Sequence, residues 1–94
     1  MTLGPQFKKL YHGSREGDFE PGDVVEPRKY HGIKEPVSFA TPHRKVAEDF
    51  SEEGRLYEVE LMEGDDPHVG IMRNYPRKRT EVVSAKGFRV VKRL

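Results

Sequence analysis

Two short stretches of the chain carry side chains that could bind a ligand or take part in catalysis. The first, residues 11–14, reads Tyr-His-Gly-Ser and places the imidazole of His12 beside a glycine. A ligand can approach the backbone closely at such a glycine, because it has no side chain. The second, residues 64–67, reads Gly-Asp-Asp-Pro and offers a pair of carboxylates. Taken alone, the first also fits a strand end with a surface histidine, and the second also fits an ordinary acidic turn.

The familiar signatures of other catalytic sites are missing from the sequence. No glycine-rich loop precedes a helix, so neither the P-loop nor the Rossmann fingerprint is present. No serine lies in the strand–turn–helix context of a nucleophile elbow. We expect no metal site, because the four histidines are scattered without ligand spacing; they are His12, His31, His43 and His68.

The elements that would position these residues can be predicted from periodicity and from turn residues. Apolar alternation predicts about five to six short strands, at about 10–12, 37–41, 55–62, 80–84 and 87–93. Thr41 followed by Pro42 predicts the N-cap and first residue of one main helix, over about 42–51. Residues 15–36 and 68–79 are predicted to be irregular. The predicted fold class is α+β, in a single domain over residues 1–94.

Composition and charge limit the class of protein. Of 94 residues, 34% are apolar and 35% charged, and there is no cysteine. Without cysteines or a long apolar run, we expect a cytoplasmic protein with no membrane span. Residues 1–70 carry 15 acidic and 9 basic side chains, whereas residues 71–94 carry 8 basic side chains and one acid, Glu81. The two parts could neutralise each other, or the tail could form a basic surface for a phosphate-bearing ligand or a nucleic acid.

Five motifs follow one another along the chain. They are residues 10–14 (Leu-Tyr-His-Gly-Ser), 21–23 (Pro-Gly-Asp), 38–41 (Ser-Phe-Ala-Thr), 54–60 (Gly-Arg-Leu-Tyr-Glu-Val-Glu) and 65–67 (Asp-Asp-Pro). In order and spacing this series resembles the rifamycin ADP-ribosyltransferases and related small members of the ADP-ribosyltransferase superfamily. The resemblance covers about residues 9–92. It implies a small split, mostly antiparallel β-core that binds NAD in a cleft.

The resemblance also implies which residues bind NAD. His12 would hydrogen-bond the ribose next to the nicotinamide, and the backbone of Gly13 would hold the carboxamide, with Ser14 beside it. Tyr11 and Thr41, which flank these positions in the motifs, complete the set of residues expected to contact NAD. No metal is implied.

The catalytic residues implied by the resemblance are His12, Phe39 and Asp66, in place of a His–Tyr–acid triad. Phe39 would pack on the nicotinamide ring, although these families usually have tyrosine there. Asp66, or Asp65 if the register differs by one, would supply the acid. Cleavage of the bond between nicotinamide and ribose develops positive charge on the sugar, which a carboxylate stabilises. Phe50 could add a second stacking face or belong to the core.

Three function hypotheses remain open on the sequence. The first is an NAD-dependent mono-ADP-ribosyltransferase whose acceptor is a small molecule, a protein or a nucleic acid. The second is a non-catalytic module on the same fold that binds NAD, ADP-ribose or a protein, which the missing hydroxyl at Phe39 favours. The third is a nucleic-acid-binding protein that uses stacking groups at Tyr75 and Phe88. Its cations would be those of the tail, namely Arg73, Arg77, Lys78, Arg79, Lys86, Arg89, Lys92 and Arg93.

Overall fold

The computed structural model describes residues 9–15, 17–72 and 79–94, and within them the chain is mainly β-structure. The elements in chain order are β1 (Leu10–Gly13), β2 (Val24–Val25), β3 (Ser38–Ala40), α1 (Arg44–Asp49), β4 (Leu56–Leu61), β5 (His68–Ile71), β6 (Thr80–Ser84) and β7 (Phe88–Arg93). The seven described strands form two sheets, in the orders β1-β4-β7-β2 and β3-β6-β5. Every pair of neighbouring strands is antiparallel. The described helix is not long and apolar enough to cross a membrane.

The hydrophobic core combines side chains from both sheets. Val59 on β4 lies opposite Leu10 on β1 and Val90 on β7, so three apolar side chains share one face of the four-stranded sheet. Ala40 and Val82 are opposite each other on the second sheet. Period-two alternation of the strands therefore builds one core between the sheets. Its buried members are Leu10, Val25, Ala40, Tyr57, Val59, Val82, Phe88 and Val90.

The helix covers the other face of β1. Gly13 lies directly opposite Leu56, and both belong to the face that turns away from the core cluster. A Cβ built at Gly13 would collide with the carbonyl oxygen of Ala47 and would lie 2.8 Å from the amide nitrogen of Ser51. The end of α1 thus sits on β1 at a distance that only glycine allows. The buried helix residues, Val46 and Ala47, are held by this contact.

Most of the predicted strands are confirmed, but the structure has two more than the sequence indicated. Val24–Val25, in the stretch predicted to be irregular, pairs with Phe88 and Arg89 of β7. His68–Ile71, also predicted to be irregular, pairs with β6 as an edge strand. Both are short, and their residues are stabilised by pairing with a longer neighbour, which local periodicity does not reveal. The number of described strands is seven rather than five to six.

The helix is shorter than predicted, and its N-cap is different. In place of about 42–51, α1 spans Arg44–Asp49, and its N-cap is His43, with extended backbone (φ −99°, ψ 104°) and no side-chain cap hydrogen bond. The hydroxyl of Thr41 instead donates to the carbonyl of Thr80 (2.9 Å) and accepts from the N–H of His43 (3.1 Å). The prediction of Thr41 as N-cap is wrong, because a long-range contact with β6 uses its hydroxyl.

Candidate functional site

A cleft forms where β1 and β3 separate. Tyr11 and Thr41 make an isolated antiparallel bridge, in which each N–H donates to the other's carbonyl (2.8 and 3.0 Å). No further backbone pair joins the two strands in the described residues. One residue along β1, the Nδ1 of His12 donates to the carbonyl of Phe39 at 2.8 Å. The bridge and this side-chain bond together hold the two sheets at the inner end of the cleft.

Two neighbouring cavities occupy the cleft. The larger is about 500 Å³, and the smaller about 70 Å³. His12, Gly13, Phe39 and Phe50 line both, so the two cavities lie next to each other around these four residues. The larger extends from Ser14, just after β1, to β2 and the segment that follows it, and the smaller lies next to α1. A shape of this kind suits a ligand with one small ring and a larger remainder.

The structure brings together the residues predicted to bind NAD. His12, Gly13, Ser14 and Phe39 line the larger cavity. Tyr11 and Thr41 line the smaller one. These side chains come from two segments, residues 11–14 and 39–41, that are not neighbours in sequence. The sequence resemblance implied this set, and the antiparallel bridge between Tyr11 and Thr41 brings its two segments together.

The two predicted acids lie elsewhere. Asp66 is exposed in the loop between β4 and β5, and it is not among the described residues that line either cavity of the cleft. Asp65 is half-buried and accepts a hydrogen bond from the hydroxyl of Ser84. That hydroxyl also accepts from the amide nitrogens of Lys86 and Gly87, both at 3.0 Å. Asp65, in the loop between β4 and β5, therefore stabilises the turn that joins β6 to β7.

Two carboxylates line the cleft, and neither was among the predicted site residues: Glu26 lines the larger cavity and Glu81 the smaller one. Glu81 on β6 is half-buried and lines the smaller cavity together with His12 and Phe39. The pairing of Ala40 with Val82 places Glu81 level with Thr41, on the face opposite Val82. The signal in the sequence was a single acid in a strand that reads Thr-Glu-Val-Val-Ser, within an otherwise basic tail. No described cation forms an ion pair with it.

The environment of His12 favours the neutral form of its imidazole. Burial lowers the pKa of His12 below its usual 6.5, and the positive charge of Arg28 lowers it further, while the hydrogen bond to Phe39 works in the opposite direction. Because the partner of Nδ1 is a carbonyl, the proton must lie on Nδ1. The Nε2 atom of the neutral ring is then a hydrogen-bond acceptor. Its ring lines both cavities, so a ligand hydroxyl is a suitable donor.

The backbone of Gly13 can make two hydrogen bonds to a ligand. The N–H and carbonyl of successive strand residues point to opposite sides. The N–H and carbonyl of Tyr11 point toward β3, where they pair with Thr41. The N–H of Ser14 points to the opposite side, toward β4, and donates to the carbonyl of Arg55 at 2.9 Å. The N–H and carbonyl of Gly13 therefore point to the β3 side, where no described strand pairs with them. A donor and an acceptor on one edge match the carboxamide of a ligand such as nicotinamide.

Ion pairs with the acidic part of the chain neutralise part of the basic tail. Arg89 pairs with Glu60 at 3.5 Å, and Arg93 pairs with Asp18 at 3.3 Å. For these two arginines the expectation of mutual neutralisation is confirmed. Such exposed pairs contribute about 0 to 1 kcal/mol each to stability. Their effect here is to reduce the positive potential of β7.

The expected aromatic partner of a nucleic acid on this tail is not accessible. Phe88 is fully buried in the core, with 0% of its surface exposed, so its prediction as a stacking group is wrong. Apolar alternation on β7 turns it inward. Several other residues of that hypothesis lie outside the described residues; they are Arg73, Tyr75, Arg77 and Lys78.

Comparisons with protein-family models, curated proteins and solved structures find no match to this chain. In the described part of the chain, no three His, Asp or Glu side chains are grouped in a way that could hold a metal ion. The geometry of the cleft and the motifs that line it are therefore the basis for inferring a function.

Proposed function

We propose that this chain is a mono-ADP-ribosyltransferase with the ADP-ribosyltransferase fold, which cleaves NAD and transfers ADP-ribose to an acceptor. The observation that carries the proposal is the convergence of the predicted NAD-binding residues on one cleft, where the two sheets separate at the Tyr11–Thr41 bridge. These residues belong to two of the five motifs, residues 10–14 and 38–41, and their position in one cleft supports a common role for them.

The smaller cavity is the proposed nicotinamide site. Phe39 and Phe50 line it and supply aromatic faces, and Phe50 has 37% of its surface exposed. The N–H and carbonyl of Gly13 would bind the carboxamide, which fixes the orientation of the ring. The ring nitrogen then points away from the backbone of β1, toward the larger cavity, where the ribose and phosphates would lie.

His12 is proposed to hold the ribose attached to nicotinamide. Its unprotonated Nε2 would accept a hydrogen bond from a ribose hydroxyl, and the bond from Nδ1 to Phe39 holds the ring in place. A cationic imidazole at this position would repel the positive charge that develops on the sugar. The lowered pKa of His12 is therefore in the direction that the proposed chemistry requires.

Of the two carboxylates that line the cleft, Glu81 shares the proposed nicotinamide cavity with His12 and Phe39, so we propose it as the acid. As the bond between the ribose C1′ and the nicotinamide nitrogen breaks, its electron pair leaves with nicotinamide and C1′ becomes cationic. From the neighbouring nicotinamide cavity, the carboxylate of Glu81 would stabilise this cation and accept the proton that the acceptor loses on attacking C1′. Asp66 remains the acid implied by the sequence resemblance. Substitution of Glu81 and of Asp66 in separate variants tests which of them is the catalytic acid.

A binding module that does not turn over NAD is the second candidate. The observation that favours it is Phe39 itself, whose ring lines both cavities but carries no hydroxyl. Such a module would bind NAD or ADP-ribose in the same cleft without releasing nicotinamide.

One experiment tests both candidates. NAD is titrated into the protein by calorimetry, and nicotinamide is quantified in the same samples by chromatography. We expect saturable NAD binding, release of nicotinamide, and loss of both in His12→Ala. The control is His68→Ala, because His68 is exposed on β5 and lines neither cavity of the cleft. Binding without release supports the module, and no binding at millimolar NAD contradicts both.

A further inference from the structure

The residues proposed so far to bind NAD line only a part of the larger cavity. Beyond His12 and Phe39 it extends to Val24 and Val25 on β2 and to Arg28 and Tyr30 in the connection that follows. Its volume of about 500 Å³ is several times that of the smaller cavity. If nicotinamide occupies the smaller cavity, the rest of NAD, including its second ring, must lie here.

Tyr30 presents an aromatic ring to this part of the larger cavity. The segment that carries it is held by Arg28 and Val37, whose N–H groups donate to each other's carbonyls at 2.8 and 2.9 Å. The carbonyl of Tyr30 accepts from the N–H of Ile33 at 3.1 Å, which closes a turn. The ring of Tyr30 meets that of Phe39 edge to face, with centroids 5.1 Å apart and an interplanar angle of 74°.

The Tyr30 ring remains available to a ligand. It is 37% exposed and lines the larger cavity but not the smaller one. Phe19, another aromatic side chain of this cavity, is held in place by edge-to-face contacts with His12 (6.3 Å) and Tyr57 (5.3 Å). Because Phe39 supports one edge of Tyr30, the two rings form a corner, and a planar heterocycle can stack on Tyr30 within it.

We propose that Tyr30 stacks on the adenine ring of NAD, so that the dinucleotide lies along the cleft with nicotinamide near Gly13 and adenine near Tyr30. The inference rests on the proposed function, since it takes NAD as the ligand. Arg28 lines the same end of the cavity, and its positive charge suits the phosphates that join the two nucleosides. The sequence resemblance assigned no residue to the adenine half of NAD.

The two halves of NAD test this placement. Calorimetry measures the affinity of ADP-ribose, which contains adenine, and of nicotinamide mononucleotide, which does not. We expect Tyr30→Ala to weaken ADP-ribose binding by at least about fivefold, the smallest effect typical of the loss of base stacking. Binding of nicotinamide mononucleotide should stay within about twofold of wild type. Tyr30→Phe should restore the affinity for ADP-ribose, because it keeps the ring.

The matched control is His31→Ala, which removes a ring from the neighbouring residue of the same turn, outside the cavity. It should leave both affinities unchanged. Equal weakening of the two ligands in Tyr30→Ala would indicate a structural role for Tyr30 and overturn the inference, as would unchanged affinity for ADP-ribose. If the wild-type protein binds neither ligand, the proposed function itself fails, and that result is distinct from a failure of the Tyr30 variants alone.

Discussion

The Nδ1 of His12 and the carbonyl of Phe39, 27 residues apart in sequence, are joined by a hydrogen bond of 2.8 Å. This bond links the four-stranded sheet to the three-stranded sheet just beyond the bridge between Tyr11 and Thr41. It fixes the tautomer of His12, because a carbonyl can only accept. One hydrogen bond thus sets both the width of the cleft and the chemical character of the imidazole that faces it.

We predict that acid weakens both the fold and NAD binding through His12. Its pKa is lowered in the folded protein, so the unfolded chain takes up the proton first as pH falls below 6.5. The free energy of unfolding should therefore decrease from pH 6.5 down to the folded-state pKa and change little on this account above pH 7. Urea denaturation at several pH values measures it. His12→Gln should flatten this part of the profile, and an unchanged slope would show that other groups are responsible.

A second prediction separates the two candidate acids. Glu81→Gln should reduce the rate of nicotinamide release by about 100-fold or more, the usual cost of removing a group that stabilises transition-state charge. Its affinity for NAD should change by much less, because the charge on the ribose develops only during the reaction. Asp66→Asn is the comparison and should retain most of the wild-type rate. The rate of nicotinamide release is measured for both variants in single turnovers with saturating NAD. A larger loss of rate in Asp66→Asn than in Glu81→Gln would show that Asp66 is the acid.

A third prediction concerns the packing of α1 on β1. Gly13→Ala should destabilise the protein by about 2 kcal/mol or more, because the new methyl group meets the backbone of Ala47 and Ser51. Gly70→Ala is a suitable control, because the backbone there is not in the left-handed region and the nearest atom, in the side chain of His68, is 3.4 Å from the new Cβ. Thermal unfolding compares them. Equal stability of the two variants would mean that α1 moves away from β1 without cost.

Two serines that face each other across β3 and β6 give a fourth prediction. Ser84 is fully buried, and its hydroxyl bonds Asp65 and the amides of Lys86 and Gly87, so Ser84→Ala should cost about 1 to 3 kcal/mol. Ser38 is also buried, but its hydroxyl has no hydrogen-bond partner in the described residues. Ser38→Ala should therefore be neutral or slightly stabilising. Chemical denaturation of the two variants measures their free energies of unfolding. A similar loss of stability in both would indicate that the hydroxyl of Ser38 binds a water molecule.

The positions of the longer strands, and some of the residues that line the cleft, could be predicted from the sequence. The alternation of apolar side chains over residues 56–61 and 88–90 predicts β4 and β7, because a strand with one buried face has a period of two. The motif at residues 11–14 predicted His12 and Gly13 as ligand-binding residues, and both line the cleft. These features depend on neighbours in sequence, so a local pattern is sufficient to recognise them.

Only the tertiary structure decided which side chains share the cleft. Alternation says which face of a strand a residue occupies, but not which strand lies opposite. The pairing of β3 with β6 brings Glu81 to His12 and Phe39, while the loop after β4 carries Asp66 away from them. The hydroxyl of Thr41 does not cap the helix, because it donates to the carbonyl of Thr80 on the neighbouring strand β6. Strand register and long-range hydrogen bonds are properties of the whole fold, and local propensity cannot specify them.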